Sequence, residues 1–513
     1  MTKSLYLINP ADDFPTYFGS EVVGAWGCQP ATTISDLATT TVAALVPDDF
    51  RVRICDERLG PIDFDCGADF VALSAKTSQH GRLEAVAREF RARGRTVILG
   101  GAFASLSPTA ARPHCDVLVT GEIEEIAPQL FGDLRSGSWR DEYQGTRPSL
   151  EHCPVPRWDL YPNDRTLLGA VQTSRGCPFE CDFCDAIVYL GRRQRHKPVG
   201  RVLDELERLY GLGYREVFLA DDNFSAARSR AKELLVALKT WNERRDDGKV
   251  LFSTQLSLDA AGDEELLRLC AEAGLVHVFV GIETPNTDSL RAAKKRQNLG
   301  GDPLALVRRF HEHGMLVVSG MVVGFDQDGA DVFERQHELA AAAALPVVTL
   351  GALVAPEGTP LRARLQAEGR LLDDGVSVAA TPWSTNVVPR QMSRGELLNG
   401  IAWLANKLYA PQAFARRVST LLERLGPRRD PRHRAGEWSA WRTRRSVEKD
   451  ARRLMGRLAL RGPQEAAMVA RIALAVARRP WTLDFVGPLL LHYAQLRHLY
   501  ERGGLWKSGA RLS

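Results

Sequence analysis

The chain has little cysteine and no targeting segment that can be recognised. Nine cysteines in 513 residues are too few and too unevenly spaced for a secreted scaffold held by disulfides. The first apolar run, residues 5–8, is too short for the core of a signal peptide. Internal repeats are not evident. These absences exclude a disulfide-rich secreted domain and indicate a reducing compartment, so we expect a cytoplasmic protein.

Long uncharged runs are nearly missing as well. The one candidate, residues 339–356, approaches the length of a membrane span. Pro346 divides it into an alanine-rich piece with helical spacing and an apolar piece typical of a buried strand. We therefore expect no span here. With 44% hydrophobic residues, the chain can instead bury cores for roughly two to four domains.

The net charge of +4 conceals two regions of opposite sign. Residues 411–513 hold 22 Lys and Arg against 8 Asp and Glu, so they carry +14 and the rest of the chain carries −10. Such a basic segment can meet an acidic lipid surface, an anionic substrate or nucleic acid. A solvated helical face is the commoner explanation.

Residues 1–134 alternate short apolar segments with helical patterns, including expected helices at 34–45 and 82–93. The strand-like segments are 5–8, 52–55, 70–73, 97–99 and 117–119. This order predicts a doubly wound, flavodoxin-like parallel sheet, which binds ligands beyond the carboxyl ends of its strands. The candidate ligand contacts at those ends are Ser74, Gly100, Gly101, Gly121 and Glu122.

Three further regions follow. Residues 135–166 are rich in glycine, proline, tryptophan and charge without a clear period, which favours a linker. Strands and helices alternate again from 167 to 373, which predicts a partial or full (β/α) barrel with its chemistry at the strand carboxyl ends. Residues 374–513 form a helical, basic region, in which leucine and isoleucine recur at helical spacing at positions 397, 401, 404 and 408.

Three cysteines fall in one loop directly after a predicted strand. Cys177, Cys181 and Cys184 have the spacing C-x3-C-x2-C. Each thiolate can bind one iron of a [4Fe-4S] cubane, which leaves the fourth iron with an open coordination position. Two alternatives remain at this point. A zinc site would need a fourth ligand such as His196, or the three thiols are unrelated to one another.

Phe183, before the last cysteine, completes the pattern C-x3-C-x-Φ-C, which resembles the signature of the radical S-adenosylmethionine (SAM) superfamily. The resemblance implies that the free iron binds SAM, which is split into methionine and a 5′-deoxyadenosyl radical. Three later strand ends resemble SAM-contacting segments of that family in their order and placement. The SAM contacts that this implies are Asp222, Gly281, Glu283 and Gly324.

A doubly wound domain ahead of such a barrel resembles the cobalamin-binding class of the superfamily. This implies a corrinoid that lies across the strand ends of the first sheet, beside the five candidate contacts named above. Many corrinoid proteins carry a D-x-H-x-x-G element that supplies a histidine to cobalt, whereas residues 56–60 here read Asp-Glu-Arg-Leu-Gly. We therefore expect the lower face of the cobalamin to lack a histidine ligand.

Within that class, residues 184–193 and 221–224 look closest to the subgroup that includes the hopanoid C-methylases. This resemblance implies methylation of an unactivated carbon in a small-molecule or lipid substrate, supported by an external electron donor. Cobalamin-dependent cyclisation or rearrangement is the alternative. An RNA-acting methylthiotransferase is a further rival, but it should carry three more clustered cysteines. The cysteines of the first 160 residues are scattered: Cys28, Cys55, Cys66, Cys115 and Cys153.

The end of the basic region raises the question of a membrane surface. Residues 471–500 mix arginines with apolar side chains, which suits a helix that lies on a membrane where a lipid substrate is reached. Packing of these apolar residues in the core of their own module is the stronger interpretation. Nucleic acid is not expected as a partner.

Overall fold

The computed structural model describes residues 2–245, 248–372, 381–426 and 446–506. The strands of its first sheet are β1 Lys3–Asn9, β3 Phe50–Asp56, β4 Phe70–Ser74, β5 Thr96–Gly100, β6 Val117–Thr120 and β7 Glu142–Gln144. They are parallel and lie in the order β3-β1-β4-β5-β6-β7. The first five follow the doubly wound, flavodoxin-like order, so this predicted fold is confirmed.

Both faces of this sheet are covered by helices. Alternate residues of a strand point to opposite faces, so each strand contributes side chains to both helical layers. Leu5 and Leu7 of β1 share a core with α2 (Leu37–Leu45) and α6 (Ala127–Ser136). Tyr6 and Ile8 face the other layer, formed by α3 (His80–Ala92) and α4 (Gly101–Leu106). Two short helices complete this part of the chain: α1 Glu21–Ala25 and α5 Pro108–Ala111.

The second sheet is an open, partial barrel of seven parallel strands. Its strands are β2 Thr32–Ile34, β8 Thr166–Val171, β11 Glu216–Leu219, β12 Leu251–Leu256, β13 Leu275–Glu283, β14 Leu316–Val323 and β15 Val347–Ala352. Their order is β15-β14-β13-β12-β11-β8-β2, and the two end strands do not pair with each other. The outer helices are α8 Val199–Gly211, α9 Arg228–Glu243, α10 Glu264–Ala273, α11 Thr287–Ala292, α12 Pro303–Glu312, α13 Val332–Ala342 and α14 Pro360–Ala367.

Two strands lie outside the limits expected for their domains. β7 falls within residues 135–166, where a linker was expected, and it forms the edge of the first sheet. β2 comes from the N-terminal segment but pairs with β8 of the barrel. The helix expected at 34–45 starts later, at Leu37, and Ile34 is the last residue of β2. Asp36 caps the start of α2, because its carboxylate accepts a hydrogen bond from the Thr39 N–H at 2.8 Å.

A short ribbon and helix carry the cysteine loop between β8 and α8. The elements are β9 Ser174–Arg175, α7 Ala186–Tyr189 and β10 Arg195–His196, and β9 pairs antiparallel with β10. Residues 339–356 form the end of α13 and then β15, as expected from Pro346. Among the residues that the structure describes, no helix is both long and apolar enough to cross a bilayer.

The C-terminal helices share the barrel's core rather than a core of their own. They are α15 Arg394–Tyr409, α16 Pro411–Arg424, α17 Ser446–Ala459, α18 Pro463–Arg478 and α19 Leu483–Arg502. The Tyr409 hydroxyl donates to the Val348 carbonyl oxygen of β15 and accepts from the Val348 N–H, both at 2.7 Å. The expected boundary at 373/374 and the basic stretch 427–445 lie outside the described residues.

The apolar residues of 471–500 mostly pack inward, as the stronger interpretation of the sequence proposed. Phe485, Leu489 and Leu490 are buried in the same core as the barrel helices. Leu474 and Leu483 are exceptions, with 67% and 43% of their surface exposed. α19 also holds the N-terminal segment, because Gln495 accepts from the Val22 N–H at 3.1 Å.

Candidate active site

The cysteine loop begins where β8 ends, at the carboxyl edge of the barrel sheet. Asp221, directly after β11, accepts hydrogen bonds from the backbone N–H groups of Thr173 and Ser174, both at 2.7 Å. Burial raises the pKa of the Asp221 carboxyl to about 6. Asp222 accepts from the Gly176 N–H at 3.0 Å. Two adjacent carboxyl groups thus fix the start of the loop to the neighbouring strand.

The three thiols of the loop differ in exposure. Cys181 is buried, Cys177 and Cys184 are partly exposed, and none is in a disulfide. Burial raises the pKa of Cys177, and it raises the pKa of Cys184 to about 12. Burial therefore favours the thiol form of Cys177 and Cys184, and metal charge beside them would favour the thiolate.

Segment 293–298, after β13, folds against this loop. Gln297 Nε2 donates to Cys181 Sγ at 3.3 Å, and the Asp182 N–H donates to the Ala293 carbonyl oxygen at 3.1 Å. The Lys295 ammonium forms a buried ion pair with Glu283 and acts electrostatically on Cys181. A polar segment of this kind has no periodic signal, and sequence reasoning missed both Lys295 and Gln297.

The thiol arrangement fits a cubane better than a single metal ion. No three His, Cys, Asp or Glu side chains of the described residues converge to hold one ion. In a cubane each thiolate binds a different iron, so the thiols need not converge. His196 is the fourth ligand of the zinc alternative. Burial lowers its pKa, Arg230 lowers it further and Glu233 raises it. The residues present therefore fit a [4Fe-4S] cluster.

The other expected SAM contacts lie at strand ends on the same edge as the cysteine loop. Glu283 ends β13 with a φ of 65°, a conformation that is uncommon for a residue with a side chain. A Cβ at Gly281 would overlap the Glu283 carboxylate and the Lys295 ammonium. Gly324 follows β14, and its N–H donates to Asp328 at 3.0 Å. The SAM contacts of Asp222, Gly281, Glu283 and Gly324 stay predictions.

A cavity of about 290 Å³ lies between the strand ends of the first sheet and the cysteine loop. All five residues that the sequence nominated at those strand ends line it: Ser74, Gly100, Gly101, Gly121 and Glu122. Arg175, Tyr189 and Leu190 line the opposite wall. The cavity continues under the sheet, where Ile98 and Phe131 form part of an apolar slot. None of its described lining residues is a histidine.

Two glycines shape the strand ends that line the upper part of this cavity. Gly101 has a φ of +89°, and a Cβ there would lie 2.9 Å from the backbone N and O of Ala75. Gly121 has a φ of +73°, and a Cβ there would lie 2.6 Å from the Gly145 carbonyl oxygen. Both positions require glycine, so the backbone itself forms the cradle that a large flat ligand would approach.

Glu122 has a second role that the sequence did not indicate. Its carboxylate forms ion pairs with Arg175 and Arg195, both at 2.5 Å, and its side chain is 3% exposed. Arg175 also pairs with Glu124 at 2.6 Å. This cluster ties the first sheet to the ribbon that carries the cysteines. Each carboxylate oxygen of Glu122 already has an arginine partner. A contact between Glu122 and a corrinoid stays a prediction.

The family profile of the radical SAM superfamily matches residues 171–335, and one described as a domain of unknown function (DUF4070) matches residues 359–463. An uncharacterized methyltransferase of Synechocystis sp. is 32% identical over 396 residues, which are 76% of this chain and 73% of that protein. The hopanoid C-2 methylase of Rhodopseudomonas palustris is 33% identical over 341 residues, which are 65% of this chain and 64% of that protein.

A solved structure of the cobalamin-dependent S-adenosylmethionine radical enzyme OxsB, with aqua-cobalamin bound, is similar over 98% of this chain and 85% of its own. The TM-score is 0.61 at 15% sequence identity, so the likeness concerns the fold. Because it covers 98% of the chain, it extends over the first sheet, the partial barrel and the C-terminal helices. The matched profile, the 32% identity over most of the Synechocystis protein and the cysteine loop agree, and the chain belongs to the radical SAM superfamily.

Proposed function

We propose that the protein is a cobalamin-dependent radical SAM C-methyltransferase that modifies an unactivated carbon of a small-molecule or lipid substrate. The observation that carries this proposal is that the cysteine loop and the glycine-lined cavity share one interface. Arg175, Tyr189 and Leu190 flank the cysteines and also line the cavity opposite Gly101 and Gly121. A corrinoid in the cavity would therefore lie beside the cluster loop, close enough for its methyl group to reach a substrate held near the cluster.

The chain's own residues would bind and orient the cofactors. Cys177, Cys181 and Cys184 would hold the cluster, and Lys295 would offset part of its negative charge. Asp222, Gly281, Glu283 and Gly324 would position SAM at the strand ends. When bound, the cluster with SAM supplies a carbon-centred radical, and the corrinoid carries the methyl group. An external donor would have to supply the electron.

Features of the cavity between the domains favour the binding of a corrinoid there. Gly101 and Gly121 allow a flat macrocycle to approach the backbone of the strand ends. The apolar slot beside Ile98 and Phe131 could receive a nucleotide tail. Since no described lining residue is a histidine, the lower face of the cobalt would lack a protein imidazole.

Two features support a lipid as substrate. One relative at 33% identity is a hopanoid C-2 methylase. The surface of α18 exposes Leu474 between Arg471 and Arg478, one and two turns apart on the same face, which suits contact with an acidic lipid surface. Leu460, 84% exposed, lies just before this helix. Peripheral membrane contact is part of the proposal.

The test is anaerobic turnover of the full chain, reconstituted with iron, sulfide and cobalamin, with methyl-deuterated SAM and a bacterial lipid extract. We expect 5′-deoxyadenosine, S-adenosylhomocysteine and a deuterated lipid. Cys181→Ala should abolish 5′-deoxyadenosine, while Cys270→Ala, on α10 outside the loop, should retain it. Formation of 5′-deoxyadenosine without any methylated product would favour cyclisation or rearrangement instead.

A further inference from the structure

A second cavity lies in the lower half of the barrel, away from the cysteine loop. Its barrel wall consists of inward-facing side chains near the starts of the strands, among them Leu168, Phe218, Phe279 and Val318. The open side of the barrel is closed by α19, with Phe18 of the N-terminal segment beside it. We call this space the lower chamber. Its volume is about 220 Å³.

The lower chamber is lined mainly by apolar side chains and is less tightly packed than a barrel interior usually is, although arginine, glutamate, aspartate and glutamine side chains also line it. Phe218, Phe279 and Leu168 stay partly exposed although they point into the middle of the fold, and Phe18 is 39% exposed. Protein interiors normally interdigitate with few voids larger than a water molecule. Apolar cavities of roughly 150 Å³ accept benzene, so a chamber of this size accepts a larger hydrocarbon.

One face of α19 is shaped to widen the chamber. Gly487, Pro488, Leu491 and His492 lie on the side of the helix that lines it. Gly487 offers no side chain, and a Cβ there would make only ordinary contact, 3.7 Å from Met455 Sδ. A larger side chain would therefore fit at Gly487, and the glycine leaves that space to the chamber.

His492 is one of three polar residues that α19 brings to the chamber, beside Asp484 and Gln495. His492 Nδ1 lies 2.9 Å from the Pro488 carbonyl oxygen, which can only accept, so Nδ1 carries the hydrogen. Burial lowers the pKa of His492, and its neutral Nε2 is an acceptor. A hydroxyl group on an otherwise apolar molecule would suit this position.

The upper wall of the chamber is the Phe279 ring. A Cβ at Gly320 would lie 2.9 Å from Phe279 Cζ, so the ring lies across the glycine on the neighbouring strand. Phe279 precedes Glu283 by four residues, about 13 Å along the strand at roughly 3.3 Å per residue. The Phe279 ring thus lies between a molecule in the chamber and the strand end at Glu283, where SAM is expected.

We propose that the lower chamber is a binding site for one apolar part of the hydrocarbon body of a lipid. This inference rests on the proposed function, because it makes the methyl acceptor a lipid whose apolar part lies in the barrel. The chemistry recognised is a hydrocarbon chain or fused-ring system with a hydroxyl or similar donor near His492. Phe279 then acts as a specificity-determining residue that limits how far the ligand extends toward the cluster.

The test uses two fluorescent probes on the full chain, without SAM or reductant. Dehydroergosterol represents a fused-ring alcohol, and cis-parinaric acid represents a linear chain. We expect saturable binding of at least one probe, and its identity separates a ring-type from a chain-type lipid. Gly487→Leu should fill the chamber and weaken binding at least tenfold. The matched control is Gly456→Leu on α17, where a Cβ meets nothing within 4 Å, and it should bind as the wild type does.

Ser253→Leu, which enters the chamber from β12, provides a second test if Gly487→Leu fails to fold. Absence of saturable binding for both probes would overturn the proposal. Equal binding by the wild type and a folded filling variant would also overturn it. Since probe binding needs no cofactor, the chamber can stand while methyl transfer fails, and the two outcomes remain distinguishable.

Discussion

Removing the Glu122 carboxylate should release the cysteine-bearing ribbon from the first sheet. Glu122 is buried between Arg175 and Arg195, whose side chains are 12% and 11% exposed. Arg175 keeps Glu124 at 2.6 Å, whereas among the described residues Arg195 keeps only the carbonyl oxygens of Pro148 and Leu190 as hydrogen-bond acceptors. In Glu122→Ala, two guanidinium groups thus lose a shared partner in a buried site.

The cost follows from burial. Breaking a buried ion pair by removing one partner costs about 3–5 kcal/mol, because the remaining charge stays desolvated. Exposed pairs contribute about 0–1 kcal/mol. Glu142→Ala is the matched control, since Glu142 is 65% exposed and lies 3.5 Å from Arg112. Glu122→Gln should fall between, because the amide oxygen can still accept from one arginine.

Hydrogen exchange of peptides covering residues 174–196 in the full chain measures this directly. At 1.4 kcal/mol per tenfold, Glu122→Ala should accelerate exchange there by roughly 10²-fold or more. Glu142→Ala should leave these peptides as they are in the wild type. Exchange in Glu122→Ala within a factor of three of the wild type would refute the role of this cluster as the interdomain anchor.

Three further outcomes are expected. Gln297→Leu should lower the cluster's reduction potential by on the order of 40 mV in an EPR titration, because one N–H···S hydrogen bond is lost, whereas Gln366→Leu on the surface should not change it. Burial lowers the pKa of His311 to about 3. The folded state therefore resists its protonation, and His311 alone should lower the stability by about 2 kcal/mol from pH 7 to pH 5, so that urea unfolding of His311→Leu shows a profile flatter than the wild type by that amount. Gly121→Ala should weaken cobalamin binding at least tenfold by absorbance titration and leave the iron content unchanged.

The parallel sheets were predictable because buried strands leave a strong apolar signal. Segments such as residues 70–73 and 117–119 lie within β4 and β6, and Ser74 and Gly121 at the ends of these strands line one cavity. The cysteine loop was equally clear, because its spacing and position after a strand are local properties. Both signals survive without knowledge of any long-range contact.

The parts that could not be predicted depend on contacts between distant segments. β2 has only three residues, and its partner β8 lies more than a hundred residues away, so nothing local assigns it to the barrel. Lys295 and Gln297 acquire their roles only when their segment packs on the cysteine loop. Arg175 and Arg195, which form ion pairs with Glu122, likewise belong to the barrel domain. The sequence gives no sign of these ion pairs, and the position of Glu122 at a strand end predicts a cofactor contact.

The measurement that most directly tests the central claim is metal analysis of the full chain after anaerobic reconstitution with iron, sulfide and cobalamin. The account predicts about four irons and about one cobalt per chain, with iron but not cobalt lost in Cys181→Ala. The visible and EPR spectra should show cobalamin without a histidine ligand. Iron without any bound cobalt would contradict the two-cofactor account and would remove the basis for assigning a methyltransferase.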